Sequence, residues 1–155
     1  MADKRLGLIM HGVTGRMGYN QHLVRSILAI RDQGGVMLSN GDRLGVDPII
    51  VGRDADKIER LAKKHDIKRW SSDLDAALAN PDDTVFFDAG TTLMRAGLIE
   101  KALAAGKHVY CEKPTSDSLE IAVNLAKTAR ASGLKHGVVQ DKLFLPGLMK
   151  LKMLR

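Results

Sequence analysis

The chain has 155 residues, 45% of them hydrophobic and 27% charged, with 24 basic against 18 acidic side chains and a formal net charge of +6. That is the size and composition of one globular domain able to bury a core, which excludes a disordered chain. A single cysteine, Cys111, excludes a disulfide framework and zinc-type thiol spacing, and no apolar run approaches the length of a membrane span. The basic residues are scattered among acidic ones, with no basic run interleaved with aromatics. No nucleic-acid or membrane partner is therefore expected, and a phosphate-bearing cofactor is a sufficient reason for the mild positive charge. The opening MADKRLGLIMHG lacks signal-peptide architecture, so a reducing, cytoplasmic setting is the expectation.

In chain order, residues 5–10 (RLGLIM) read as a buried strand that runs directly into HGVTGRMG. A helix is expected from there to about Ile30, its apolar stripe supplied by Met17, Leu23, Val24, Ile27, Leu28 and Ile30. Residues 33–47, rich in Gly, Asp and Asn, read as a long loop, and residues 48–52 (PIIVG) as the second strand. Residues 53–66 form a helix with Asp54 as its N-cap, 67–70 a short strand, and 71–80 a short helix with Ser72 and Asp75 at capping-box spacing. Residues 84–90 (TVFFDAG) predict a strand, and 93–106 a helix stopped by Gly106. Residues 107–111 (KHVYC) follow as a strand, and 117–133 as a helix opened by Asp117, with Glu120 three residues on, and closed by Gly133. Residues 135–139 are the last strand, and 143–155 look helical to the end. Strands that are apolar almost throughout, alternating with helices, predict an α/β fold: a doubly wound parallel sheet of the Rossmann type, single-domain.

Gly12, Gly15 and Gly18 form G-x-x-G-x-x-G between the first strand and the first helix. Glycine serves three needs there: a tight turn, close approach of backbone to a diphosphate, and close packing of helix on strand. The unpaired N–H groups of the first helical turn then face the phosphates. The second strand ends VGRD. Gly52 leaves room where a carboxylate would repel a 2′-phosphate, and Arg53 offers a charged fork for one, so NADP is expected over NAD. The five histidines, His11, His22, His65, His108 and His136, share no metal-ligand spacing, and no metal is expected.

IMHGVTGRMG, VGRDADKIERLAKKH, KALAAGKHVYCEKPTSDS and HGVVQDKLFLPGLMKL together resemble the N-terminal half of the Gfo/Idh/MocA family of NAD(P)-dependent sugar, inositol and polyol dehydrogenases. The resemblance covers essentially the whole chain. It implies a coenzyme site made by Gly12, Val13, Thr14, Gly15, Arg16, Met17 and Gly18, with Arg53, Thr91, Thr92, Glu112, Lys113 and Gln140. It also implies that Lys113, of the family's Glu-Lys-Pro signature, is catalytic, its ammonium stabilising charge on the substrate oxygen as hydride leaves the carbon. Glu112 is expected either to orient that ammonium or, equally, to pair with a distant surface base, and Pro114 to fix the backbone beyond the lysine. Where the family shows a Thr-Pro-Asn-type loop and a following His, this chain has GTTLMR, which puts an imidazole contact in doubt and sets Arg95 in its place. His11 is expected to pack or to lie beside the cofactor.

The family's second domain supplies the proton-transfer Asp and His, the substrate wall and the usual homo-oligomer interface. Residues 1–142 are accordingly expected to be the dinucleotide-binding domain, and 143–155, apolar on nearly all sides, the start of a helix leading to that second domain. The chain alone is expected to bind dinucleotide and to turn over little substrate. The alternative is a non-catalytic dinucleotide-binding sensor or regulatory module. A dihydrodipicolinate-reductase-like enzyme, suggested by GVTGRMG, is opposed by the absence of that family's His-His and Lys motif.

Overall fold

The structure, a computed structural model, describes residues 3–154. A seven-stranded sheet is built from β1 (Asp3–His11), β2 (Val36–Met37), β3 (Arg43–Val51), β4 (Arg69–Ser71), β5 (Asp83–Asp88), β6 (His108–Cys111) and β7 (His136–Val138). Its order is β2-β3-β1-β5-β6-β7, with β4 also paired to β3; every pairing is parallel except β2 with β3. The chain moves outward from β1 to β3 on one side and then returns to β5 on the other. That reversal opens a crevice at the carboxyl ends of β1 and β5, where open α/β sheets take their ligands.

Alternation along the central strands sends side chains into two cores. Ile9, Val51, Phe86 and Val109 face one layer, which contains α3 (Leu74–Ala79), α4 (Thr92–Ala104) and α5 (Leu119–Ala131). Leu8, Met10, Ile50 and Phe87 face the other, formed by the first helix and α2 (Ala55–Lys64). Burial on both faces is why these strands lack a polar alternation. The first helix is π-helical over Gly18–Leu28 and closes with an α-helical turn, Ala29–Asp32 (α1). Within it the Ser26 hydroxyl donates to the Gln21 carbonyl, 2.7 Å away, spanning five residues as the wider turn allows.

Several expectations are corrected. Residues 33–47 are not one loop: Gly34 and Gly35, at φ +84° and +97°, turn the chain so that Val36–Met37 pairs antiparallel with Arg43–Leu44. β3 therefore begins at Arg43, five residues before the expected strand. Pro48 falls between the stretches of β3 that pair with β2 and β4, where the outer edge is open and a missing N–H costs least. The caps of α3 and α5 shift by one residue. Asp73, not Ser72, accepts from the Ala76 N–H, and Ser118, not Asp117, from the Ile121 N–H. Asp54 caps α2 as expected, accepting from the Lys57 N–H at 3.0 Å. The C-terminal run is divided: a 3₁₀ turn, Asp141–Phe144, stops at Leu145, which is extended before Pro146, and α6 (Pro146–Met153) starts afresh with the proline at its first position. Its apolar side chains stay outside the cores, Met153 and Phe144 being 85% and 75% exposed. Among the described residues no helix is long and apolar enough to cross a membrane.

Candidate coenzyme cleft and lysine turn

The crevice is a cleft of about 410 Å³. The β1-to-helix loop lines it with Gly12, Thr14, Gly15, Arg16, Met17 and Gly18, the end of β3 with Gly52 and Arg53, and the β5–α4 loop with Gly90 and Thr91. His11 closes the floor beside them. Among the described residues no carboxylate lines the cleft, and the Arg16 and Arg53 side chains are exposed at it without an internal ion-pair partner.

The three loop glycines have different causes. Gly12 is at φ +78°, and a Cβ there would lie 2.3 Å from the Gly90 nitrogen. A Cβ on Gly18 would lie 2.3 Å from the Gly12 carbonyl oxygen, so this glycine lets the helix close onto the loop. Gly15 is different: its Cβ would meet nothing nearer than 3.5 Å, ordinary contact. The chain itself therefore does not demand glycine at position 15.

The helix ends also differ among themselves. Side chains cap α2, α3 and α5, whereas the first helix, α4 and α6 have none among the described residues, α6 starting instead on Pro146. Two of these ends open onto the cleft: that of the first helix, whose helical residues begin at Arg16 just after Gly15, and that of α4 at Thr91. Donor groups left free there and a positive dipole end suit an anion.

Beneath the cleft is a polar network that the sequence did not announce. Asp88, 0% exposed, accepts from Arg95 Nε at 2.9 Å and from the Gly90 N–H at 2.9 Å, and its Oδ1 lies 2.7 Å from His11 Nδ1. Burial works to raise the Asp88 carboxyl, but the bonds from His11, the Gly90 N–H and Arg95 together hold it below the ordinary value. Arg95 is itself only 2% exposed and also donates to the Gly90 carbonyl and to the Pro114 carbonyl. It stands not as a substitute cofactor ligand but as a buried tie.

Lys113 follows β6 on the same rim, exposed, and its ammonium has no partner among the described residues. Of the two readings of Glu112, pairing with a distant base is the one the structure shows, the base being His22, which is largely buried and not on the surface. The carboxylate of Glu112 turns inward, accepting the backbone N–H of Lys113 at 3.0 Å and pairing with His22 Nε2 at 2.6 Å. His22 in turn packs on Phe87, ring centroids 4.6 Å apart. Of the other expected residues, the Val13 side chain is fully buried in the core, Thr92 begins α4 half-buried, and Gln140 is exposed past β7; none of these lines the cleft. Among the described residues no three His, Cys, Asp or Glu side chains converge on a metal position.

The comparisons with known proteins agree with this geometry. The oxidoreductase family with an NAD-binding Rossmann fold, Gfo/Idh/MocA, matches residues 12–140. A D-xylose dehydrogenase of Paenarthrobacter nicotinovorans is 51% identical over 145 residues, which is 94% of this chain and 37% of that protein. The chain thus spans little more than a third of that relative. Among solved structures, an NAD binding oxidoreductase from Klebsiella pneumoniae superposes with a TM-score of 0.78 at 24% identity, over 97% of this chain and 38% of its own. The scyllo-inositol dehydrogenase of Lactobacillus casei superposes at 0.75 and 19% identity, over 99% of this chain and 42% of its own. The glycine loop, the two open helix ends and the lysine turn are thus the parts of an NAD-binding Rossmann domain, and the chain belongs to the Gfo/Idh/MocA oxidoreductase family.

Proposed function

We propose that the chain is the coenzyme-binding part of an NADP-preferring dehydrogenase that oxidises a carbinol carbon of a sugar or polyol. The observation that carries the reading is the cleft itself: a glycine that the chain's own packing does not require, two helix ends that open onto it without a side-chain cap, two unpaired arginines and, among the described residues, no lining carboxylate. Gly12, Gly15 and Gly18 would hold the diphosphate against the first helix, and Arg53 the 2′-phosphate; an acid at the end of β3 would have favoured the unphosphorylated ribose. When bound, the dinucleotide supplies the hydride acceptor. Lys113 presents its cation at the carboxyl rim, where it stabilises negative charge on a substrate oxygen. The 51% identity to a D-xylose dehydrogenase supports the sugar class. The rest of the substrate site, and assembly into a homo-oligomer, belong in this reading to the part of the enzyme beyond this chain.

Titration of NADPH and NADH, followed by fluorescence, tests it. The chain should bind NADPH at least about tenfold more tightly than NADH, and Arg53→Ala should remove that preference, about 1.4 kcal/mol or more. Equal losses for the two coenzymes would remove Arg53 from the 2′-phosphate. No binding of either would end the reading.

A further inference from the structure

The lysine turn is held from both sides of the sheet, and only its head group is left free. From the first helix, His22 fixes Glu112, whose other oxygen takes the Lys113 N–H. From the opposite layer, Arg95 reaches the Pro114 carbonyl, the residue just past the lysine. The same guanidinium binds Asp88 at the end of β5 and the Gly90 carbonyl in the loop that walls the cleft. One side chain thus joins the stretch from the end of β5 into the cleft loop, at Asp88 and Gly90, to the lysine turn at Pro114. Only a planar fork with five N–H donors does this; an ammonium is a point charge.

The burial makes the arrangement informative. A buried ion pair is seldom more stabilising than apolar side chains of similar volume, so Asp88–Arg95 is a poor means of strengthening a core. It is a good means of fixing a relation between groups. The backbone on either side of Lys113 is fixed, whereas its ammonium has no partner among the described residues: a cation aimed outside the chain.

We propose that Arg95 is the positioning residue for Lys113, tying the lysine turn to the β5–α4 wall of the coenzyme cleft so that cation and bound dinucleotide keep a fixed relation. The inference rests on the function proposed above, and it needs a variant that separates charge from reach. Arg95→Lys keeps a cation for Asp88 but cannot span all three acceptors. In this chain Arg95→Lys should keep Tm within about 5 °C and NADPH affinity within about threefold. Amide exchange at Lys113 should nevertheless rise by about tenfold or more as the turn opens locally. In the longer enzyme, kcat for D-xylose should fall while KM for NADP holds, since only an interaction with the reacting groups is lost.

Unchanged Lys113 exchange and unchanged kcat in a folded Arg95→Lys protein would overturn the role and leave Arg95 a structural ion pair. Should Arg95→Lys unfold the chain, the double change Asp88→Asn/Arg95→Gln removes both charges together and is read by the same exchange measurement. An unaltered chain that binds neither coenzyme overturns the proposed function itself, whereas normal binding with an unmoved lysine turn overturns only Arg95.

Discussion

The sheet carries a fully buried aspartate near each end, and the two are used in opposite ways. At the amino end Asp83 is enclosed by its own chain. Arg69 donates to it at 2.6 and 2.9 Å, Asn80 at 3.0 Å and Arg5 at 3.3 Å, while Arg5 also binds Asp47 at 2.7 Å. Gly7 has no room for a Cβ because Asp83 Oδ1 would lie 2.4 Å from it. At the carboxyl end Asp88 is likewise satisfied, but the groups around it face outward. His11 forms part of a cleft, Arg95 reaches the lysine turn, and Arg16, Arg53 and Lys113 have no internal partner among the described residues. Charge at the amino end is matched inside the chain, whereas in the function proposed above the unmatched cations at the carboxyl end are left for an anionic ligand.

Removing Asp83 is the strongest way to break that contrast. Asp83→Ala strands Arg69 and Arg5 beside a buried hole and should cost about 3–5 kcal/mol in chemical denaturation. NADPH affinity of the protein that remains folded should stay unchanged. A loss of affinity as large as the loss of stability would show that the two ends are one unit.

Cys111 sharpens the comparison through pH. It lies at the end of β6, 2% exposed, with its thiol pushed up to about 11 by burial; the Arg95 charge opposes the rise, and Asp88 and Glu112 add to it. Between the ordinary value of 9.0 and about 11 the unfolded chain gives up this proton and the folded chain keeps it. The unfolded state binds fewer protons there, so stability falls as pH rises through that window, by on the order of 2–3 kcal/mol in full. Below that window the thiol adds no pH dependence. Denaturation at pH 8 and pH 10.5 should show the decline, and Cys111→Ala should flatten it. A decline that survives the substitution belongs to another group.

The fold was legible in the sequence because its evidence is local. Apolar strands buried on both faces and glycines such as Gly106 and Gly133 at helix ends announce themselves within a few residues. β2 did not, since Val36–Met37 is too short to show any period and is defined only by pairing with Arg43 and Leu44. The caps of α3 and α5 slipped by one residue because adjacent Ser and Asp side chains are both good caps, and only where the backbone turns helical decides between them. The glycine loop was legible for the same local reason as the strands. The two ties on the lysine turn were not: His22 and Glu112 are 90 residues apart and Arg95 and Pro114 are 19, separations that no spacing rule reads. GTTLMR carried one usable signal, an arginine opening a helix that follows an apolar strand ending in Asp.

Gly15→Ala has the smallest expected effect on the free protein and separates the two kinds of constraint most sharply. Alanine at Gly12 or Gly18 would collide with backbone at 2.3 Å, so loss of binding in those variants would not distinguish a damaged loop from a blocked site. At Gly15 the nearest atom to the new methyl is 3.5 Å away and the backbone is outside the left-handed region, so the fold has no reason to object. Stability should be unchanged or raised by about 0.4–1 kcal/mol, because alanine narrows the unfolded ensemble. Affinity for NADPH should still fall by about tenfold or more, since the methyl stands where the diphosphate must meet the loop backbone. Lower stability with normal affinity would mean that position 15 belongs to the fold, like Gly7 beside Asp83. The carboxyl end would then be a second closed region, with no ligand needed to account for its glycines.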